Sequence, residues 1–272
     1  MAYARAGVGT ALTRLVTSLS RAFLVLVFIA LPAFLLPETS RTGQEISLII
    51  GALFALFTMF EYASSHPGLI DFRFAPPYNR FRFLTFAVLI VALVFLCRAD
   101  SGADSFSDDY LALSDRLVEI FSVPFSPVVL ADTLIGAGVN PLVERAAALS
   151  FTIALTSIIF FAIYVWVFRW PAERDSFNLW INLPTFDPSV GQDIAWRLRR
   201  AGLLNIIVAL ALPYAVLSIA SRSGGWFDPA ALGNYQSLVW CCVFWAFFPV
   251  ALFNRGSAML KIAWLIDRAR TD

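Results

Sequence analysis

Six runs of apolar residues alternate with short polar stretches along this 272-residue chain, and their lengths order everything else. The clearest is Ala146–Phe168, 23 residues with no charge, proline or glycine, bracketed by Glu144-Arg145 and Arg169. As a helix it would be ~34 Å long, against a hydrocarbon core of ~30 Å. The other runs are Ala22–Leu36, Ile46–Tyr62, Phe83–Cys97, Leu203–Ala220 and Leu238–Phe253. The first gives only ~22 Å of helix, so it borrows from Leu12–Leu19 while Arg14 and Arg21 reach to the interface. Pro32, Pro213 and Pro249 fall inside spans, where neighbouring helices tolerate a kink.

The pattern therefore predicts an all-α, six-span membrane protein folded as a single membrane domain over residues 1–272. The first 21 residues carry three arginines and no acid, like a signal peptide. The run that follows ends in Leu-Pro-Glu-Thr-Ser without a small-x-small cleavage site, so it reads as an uncleaved first span. Ala258–Ile266, beside Lys261, Asp267, Arg268 and Arg270, reads as a short interfacial helix. Val190–Arg200 reads as another short helix, leading into the fifth span.

Basic residues set the expected orientation. With both termini cytoplasmic, the loops 63–82 and 169–202 and the two ends hold fifteen of the 20 basic residues. Five remain outside: Arg41, Arg98, Arg116, Arg145 and Arg222. Taking Leu117–Val139 as a seventh span would reverse that bias, and Glu119, Pro124, Pro127, Asp132, Gly136 and Gly138 suit it poorly to lipid. The outer segment 98–145 is then expected to hold one or two short helices, or a re-entrant piece.

Within the two cytoplasmic loops, Ile70–Phe74 and Phe177–Leu183 alternate apolar with polar residues before running into proline. That period of two predicts a small β-ribbon, with two unrelated aromatic loops at the headgroups as the alternative.

Composition sharpens the class. The chain is 59% hydrophobic and only 14% charged, where soluble domains carry about 25% charged residues. The mean hydropathy is +0.75. A net charge of +1 gives no reason to expect a nucleic-acid partner. Nineteen of the 20 basic residues are arginine, which points to a GC-rich bacterial genome and hence to a bacterial inner membrane. Trp166, Trp170, Trp180, Trp226, Trp240, Trp245 and Trp264 cluster near span ends, as interfacial belts do.

Candidate chemistry is sparse. One histidine excludes a multi-histidine metal or bis-histidine haem site within the chain, and Cys97, Cys241 and Cys242 read as buried hydrophobes. Gly7-Val-Gly9 lacks the rest of a dinucleotide fingerprint, and no phosphate-binding lysine loop exists. Asp100, Asp104, Asp108 and Asp109 do not follow calcium-loop spacing and read as solvated caps. No cofactor and no metal site are expected.

Two polar clusters remain. Glu61, His66, Asp71, Arg73 and Arg80, with Asn79 among them, gather after the second span, where a lipid-headgroup enzyme would need an acid, a base and a cation. Arg197, Arg199 and Arg200 could hold an anionic lipid phosphate, although positive-inside anchoring accounts for them equally. The centres of all six spans lack ionisable residues, against the habit of ion-coupled carriers.

The first functional expectation is a non-catalytic accessory, assembly or structural subunit of a larger inner-membrane complex, partnered by lipids and other integral membrane proteins. A membrane enzyme on lipid or isoprenoid substrates is the second, and a transporter or lipid-moving protein the third. Within the fourth span, Ser150 and Ser157 share one helix face while Thr152 and Thr156 lie nearly opposite, which predicts a helix packed on both sides.

Overall fold

The computed structural model describes residues 2–37, 39–64, 68, 70–73, 75–102, 105–135, 140–171, 182–183, 186, 193–222 and 228–271. Among them are eight α-helices: α1 (Ala2–Leu35), α2 (Arg41–Ala63), α3 (Pro76–Asp100), α4 (Ser107–Phe121), α5 (Pro127–Ile135), α6 (Pro141–Trp166), α7 (Ile194–Ser221) and α8 (Tyr235–Thr271). A 3-10 helix over Pro229–Gly233 precedes α8. Six of these, α1, α2, α3, α6, α7 and α8, are long and apolar enough to cross a membrane, matching the six spans expected.

Short polar residues start these helices by one repeated device. Ser126-Pro127, Asn140-Pro141 and Asp228-Pro229 each place a side-chain oxygen where it accepts from a main-chain N–H two residues on, of Val128, Leu142 and Ala230 respectively. The proline then opens the helix, where its missing N–H costs nothing. Ser40 caps α2 through the Gly43 N–H, and Asp193 caps α7 through that of Ala195.

Several boundaries differ from those the pattern predicted. Ala258–Ile266 is not a separate interfacial helix but the continuation of α8, and Ala258, Met259, Lys261, Ile262 and Ala263 in it are buried. The helix expected over Val190–Arg200 begins at Ile194 and runs unbroken into the fifth span. No proline interrupts the chain between Ile194 and Pro213 or from Ala258 to Ile266, so the hydrogen-bonded ladder continues although the sequence turns polar. The segment 98–145 holds two short helices, α4 and α5, of 15 and 9 residues, neither long enough to span. No strand occurs among the described residues. Of the predicted ribbon, 71–73 form a turn, and all of 177–183 except Asn182 and Leu183 lies outside the described residues.

The chain falls into two compact units, Met1–Asn79 with Asn178–Ser189, and Arg80–Phe177 with Val190–Asp272. In the first, α1 and α2 form an antiparallel hairpin sealed by small residues. Ser18, Ala22, Ala30 and Ala33 of α1 and Ser47 and Gly51 of α2 are buried. A Cβ on Gly51 would lie 2.9 Å from Leu26 Cδ1. In lipid the hydrophobic effect does not drive helices together, so close van der Waals approach at such positions supplies the attraction.

In the second unit, α8 packs against both α6 and α7. Gly202 and Gly256 mark the tightest crossing: a Cβ on Gly256 would lie 2.6 Å from the Gly202 carbonyl oxygen and 2.8 Å from Ile206 Cγ1. The first turns of α6 are wrapped, with Leu142, Val143 and Ala146 through Ser150 all buried. There α4 and α5 cover it, around a core of Val128, Ala131, Ala147, Ala148 and Leu217. Arg145 grips Asp115 of α4 with two bonds, of 2.6 and 3.0 Å.

Further along α6, one face stays packed, through Ala154, Phe161 and Val165, with Ser157 bonded to Thr85 of α3 at 2.5 Å. Leu155, Thr156, Ile159 and Phe160 are exposed. Two-sided packing thus holds only for the half nearest α4 and α5. Thr152 bonds back to the Ala148 carbonyl, so its hydroxyl needs no neighbouring helix.

Candidate functional site

The cluster expected after the second span is a brace. Helix α2 ends with carbonyls that have no partner further along the helix. Arg73 supplies one, its guanidinium donating to the main-chain oxygens of Glu61 and, at 3.1 Å, of Ser64. A cation at a helix C-terminus also meets the negative end of the dipole. The Glu61 carboxylate turns the other way and accepts from the Ile70 N–H at 3.0 Å. It lies so close over Gly68 that no Cβ fits there.

The turn between them is held from three sides. Asn79 donates to the carbonyls of Phe72 and Arg73 at 2.8 and 2.9 Å. Ala75 N–H also reaches the Phe72 carbonyl, at 2.9 Å, and the Phe72 N–H donates to Asn182 O at 2.5 Å. Phe72 has φ +58°, which costs a non-glycine residue ~1–2 kcal/mol. Its ring is wholly buried and packs 4.5 Å from that of Tyr78. Burying an aromatic ring and these main-chain bonds outweigh that strain.

Of the residues singled out for chemistry, Glu61 and Arg73 are thus brought together, 8% and 4% exposed, and both grip main-chain atoms. Asp71 lies half-buried in the same turn and Arg80 is exposed. His66 lies outside the described residues. Gly68 belongs to the brace and was not foreseen, because a glycine in a loop is unremarkable in a sequence. The bond from the Phe72 N–H to Asn182 O joins the two segments expected to pair, Ile70–Phe74 and Phe177–Leu183, but among the described residues it is one main-chain bond into a turn rather than a strand ladder.

The arginine cluster is divided among different tasks. Arg199 pairs with Asp267 near the end of α8. Arg270 lies 2.8 Å from Asp193, the cap of α7, and 4.0 Å from Asp267, so charges alternate around four residues. The hydrogen bond from Arg270 holds the Asp193 carboxyl below the usual carboxylate range; it outweighs the opposing effect of desolvation, with the Ala195 N–H bond and the charges of Arg270 and Arg199 adding to it. Arg200 lies over the exposed Trp196 ring at 5.6 Å. Arg197 is half-buried. Six residues before Asp267, Lys261 is buried with its ammonium 4.0 Å from the Trp264 ring centre and 5.4 Å from that of Trp166.

Other polar groups serve the packing. Arg255 donates to the Asn205 oxygen at 3.4 Å beside the glycine crossing. Asn254 is buried there, its amide without a hydrogen-bond partner among the described residues, and the sequence reading passed over it as a span end. In the acidic segment, Asp108 and Asp109 occupy the first turn of α4, where carboxylates complement the dipole, and Asp100 accepts from the Tyr235 hydroxyl at 3.1 Å. Asp104 lies outside the described residues. No cluster of three metal-binding side chains occurs among the described residues.

Comparisons with known protein families, curated proteins and solved structures return no match. The fold itself defines the class: an all-α protein with six helices fit to span a membrane.

Proposed function

We propose that this chain is a non-catalytic structural or assembly subunit of a larger complex in a bacterial inner membrane, with both termini cytoplasmic. One observation carries the reading. Glu61 and Arg73, the acid and cation best placed for headgroup chemistry, are buried and spent on main-chain atoms. An acid–base catalyst has to reach a substrate proton, and these two reach the chain instead. The orientation rests on the distribution of arginines.

The surface for partners is the outer face of α2. Ile46, Ile49, Leu53, Phe57 and Phe60 recur at helical spacing along its length and all are exposed. On α7, Arg200 stacked over Trp196 offers an anionic lipid phosphate a cation at the interface.

The test is purification from native membranes in mild detergent, with a photo-crosslinker at Ile49 or Leu53. A fixed-stoichiometry assembly is expected, in which both positions crosslink to one other integral membrane protein. A homogeneous monomer, without co-purifying protein and with crosslinks to lipid alone, overturns the proposal.

A further inference from the structure

In the second unit, α7 and α8 enclose a cavity of about 390 Å³. This is the lower end of the volume range of ligand sites. The two helices meet closely at Gly202 and Gly256, and Val216 lies ~21 Å further along α7. On the other side α5 packs against both α6 and α7. Trp245 of α8 lines the cavity, donating to the Pro213 carbonyl of α7 at 3.1 Å and packing against Phe151 of α6.

The floor is formed by Ala131, Val143 and Ala147, all buried. Leu217, Leu238 and Cys242 form buried walls, and Val216, Phe244 and Phe248 form an exposed rim. The lining consists of aliphatic, aromatic and thiol side chains, so it offers a polar ligand nothing to bond. Most of it, the rim included, belongs to helices fit to span the membrane, so the mouth opens sideways into hydrocarbon. Arg222, exposed, caps α7 two residues beyond Ala220, the last residue of α7 in the lining.

We propose that this cavity is a binding site for one acyl chain of a phospholipid, whose phosphate is met by Arg222. The chain fills a space that would otherwise be a void beside Trp245. Arg222 follows the last lining residue of α7 by two positions, where α7 leaves its apolar span, which is where a headgroup belongs. A free hydrocarbon would satisfy the lining but leave Arg222 unused. The site is independent of the subunit role proposed above.

The test uses the full chain in nanodiscs of phosphatidylcholine doped with a phosphatidylcholine carrying a diazirine in one acyl chain. After irradiation, adducts are mapped by mass spectrometry. Ile207 and Leu210, outward on α7, serve as internal references for insertion and folding, being exposed to any lipid. Adducts are expected on Ala131, Val143 and Ala147 as well, which lipid reaches only through the cavity. Ala220→Phe should cut the floor adducts several-fold while leaving the references unchanged, and Phe248→Ala should raise them. Arg222→Gln should weaken floor labelling by the phospholipid probe but not by a diazirine fatty alcohol.

Reference adducts without floor adducts overturn the site, as does floor labelling that Ala220→Phe and Phe248→Ala both leave unchanged. Arg222→Gln that leaves both probes unchanged overturns the phosphate contact. Loss of floor labelling in the protein extracted with its neighbours would show that a partner's side chains fill the cavity, and overturns the lipid assignment.

Discussion

Replacing Gly256 by alanine adds one methyl group at the point where α7 and α8 are closest. That carbon would sit 2.6 Å from the Gly202 carbonyl oxygen, 2.8 Å from Ile206 Cγ1 and 3.1 Å from Asn205 Cβ. The Gly202 oxygen is main chain and Asn205 Cβ is bonded directly to the main chain, so neither can swing away and the helices must part. Restoring ordinary contact takes a displacement of about 0.7 Å, and a gap of that size forfeits roughly a quarter to a half of each dispersion well it touches. With each atom pair worth ~0.1–0.2 kcal/mol and some twenty pairs along the crossing, about 1 kcal/mol of attraction is lost. Residual strain raises the total to about 2 kcal/mol, within the ~1–3 kcal/mol usual for an overpacked site. That lowers the folded-to-unfolded ratio ~30-fold.

The assay is reversible unfolding in mixed micelles followed by tryptophan fluorescence, with Gly233→Ala as control because nothing lies within 4 Å of its added carbon. Gly202→Ala should cost a similar amount, its carbon meeting the Gly256 carbonyl at 2.9 Å. The double variant should cost less than the sum, since one displacement relieves both clashes. Gly256→Ala as stable as the parent, or a double variant that is strictly additive, would refute a tight crossing at this pair.

Two further predictions follow from the polar groups. Arg73→Ala removes charged bonds to two carbonyls in a buried turn and should destabilise by about 3 kcal/mol, with amides 70–75 exchanging faster; Glu61→Gln, which keeps an oxygen for the Ile70 N–H, should be much milder. Equal effects of the two would argue that the brace is not built around Arg73. For pH, Asp193 titrates below its ordinary value in the folded protein, so its contribution is complete above an unfolded pKa of about 4 and is lost as pH falls through the lower folded pKa. Thermal melts should therefore weaken more steeply below about pH 4 in the parent than in Asp193→Asn, and parallel curves would count against the Arg270 contact.

Much of the architecture was legible because membrane helices announce themselves locally. A bilayer removes water from the main chain, so every span must be a long apolar helix, and length with composition identifies it. Helix starts carry local signals that the reading did not use: Ser126-Pro127, Asn140-Pro141 and Asp228-Pro229 act over two residues. Helix ends were misjudged. In Phe253-Asn254-Arg255-Gly256 both the change in polarity and the Asn and Gly look like a boundary, yet α8 runs through it, packed against α7 at Gly256.

The candidate site was half legible. Its members Glu61, Arg73 and Asn79 were gathered by proximity along the chain, but their purpose was not. Whether a carboxylate faces a substrate or a main-chain N–H depends on the path of the ten residues between Glu61 and Phe72. The Phe72 end of that stretch is bonded to Asn182, more than a hundred positions away.

By itself the sequence determined the class of protein and the number of spans, because both depend on solvent preference along a continuous stretch of chain. Tertiary structure decided which apolar faces meet, that Gly202 and Gly256 touch, that α5 packs against α6 and α7, and that Arg73 serves the chain. In lipid an inward face and an outward face have much the same composition, so shape and distance distinguish them where hydrophobicity does not.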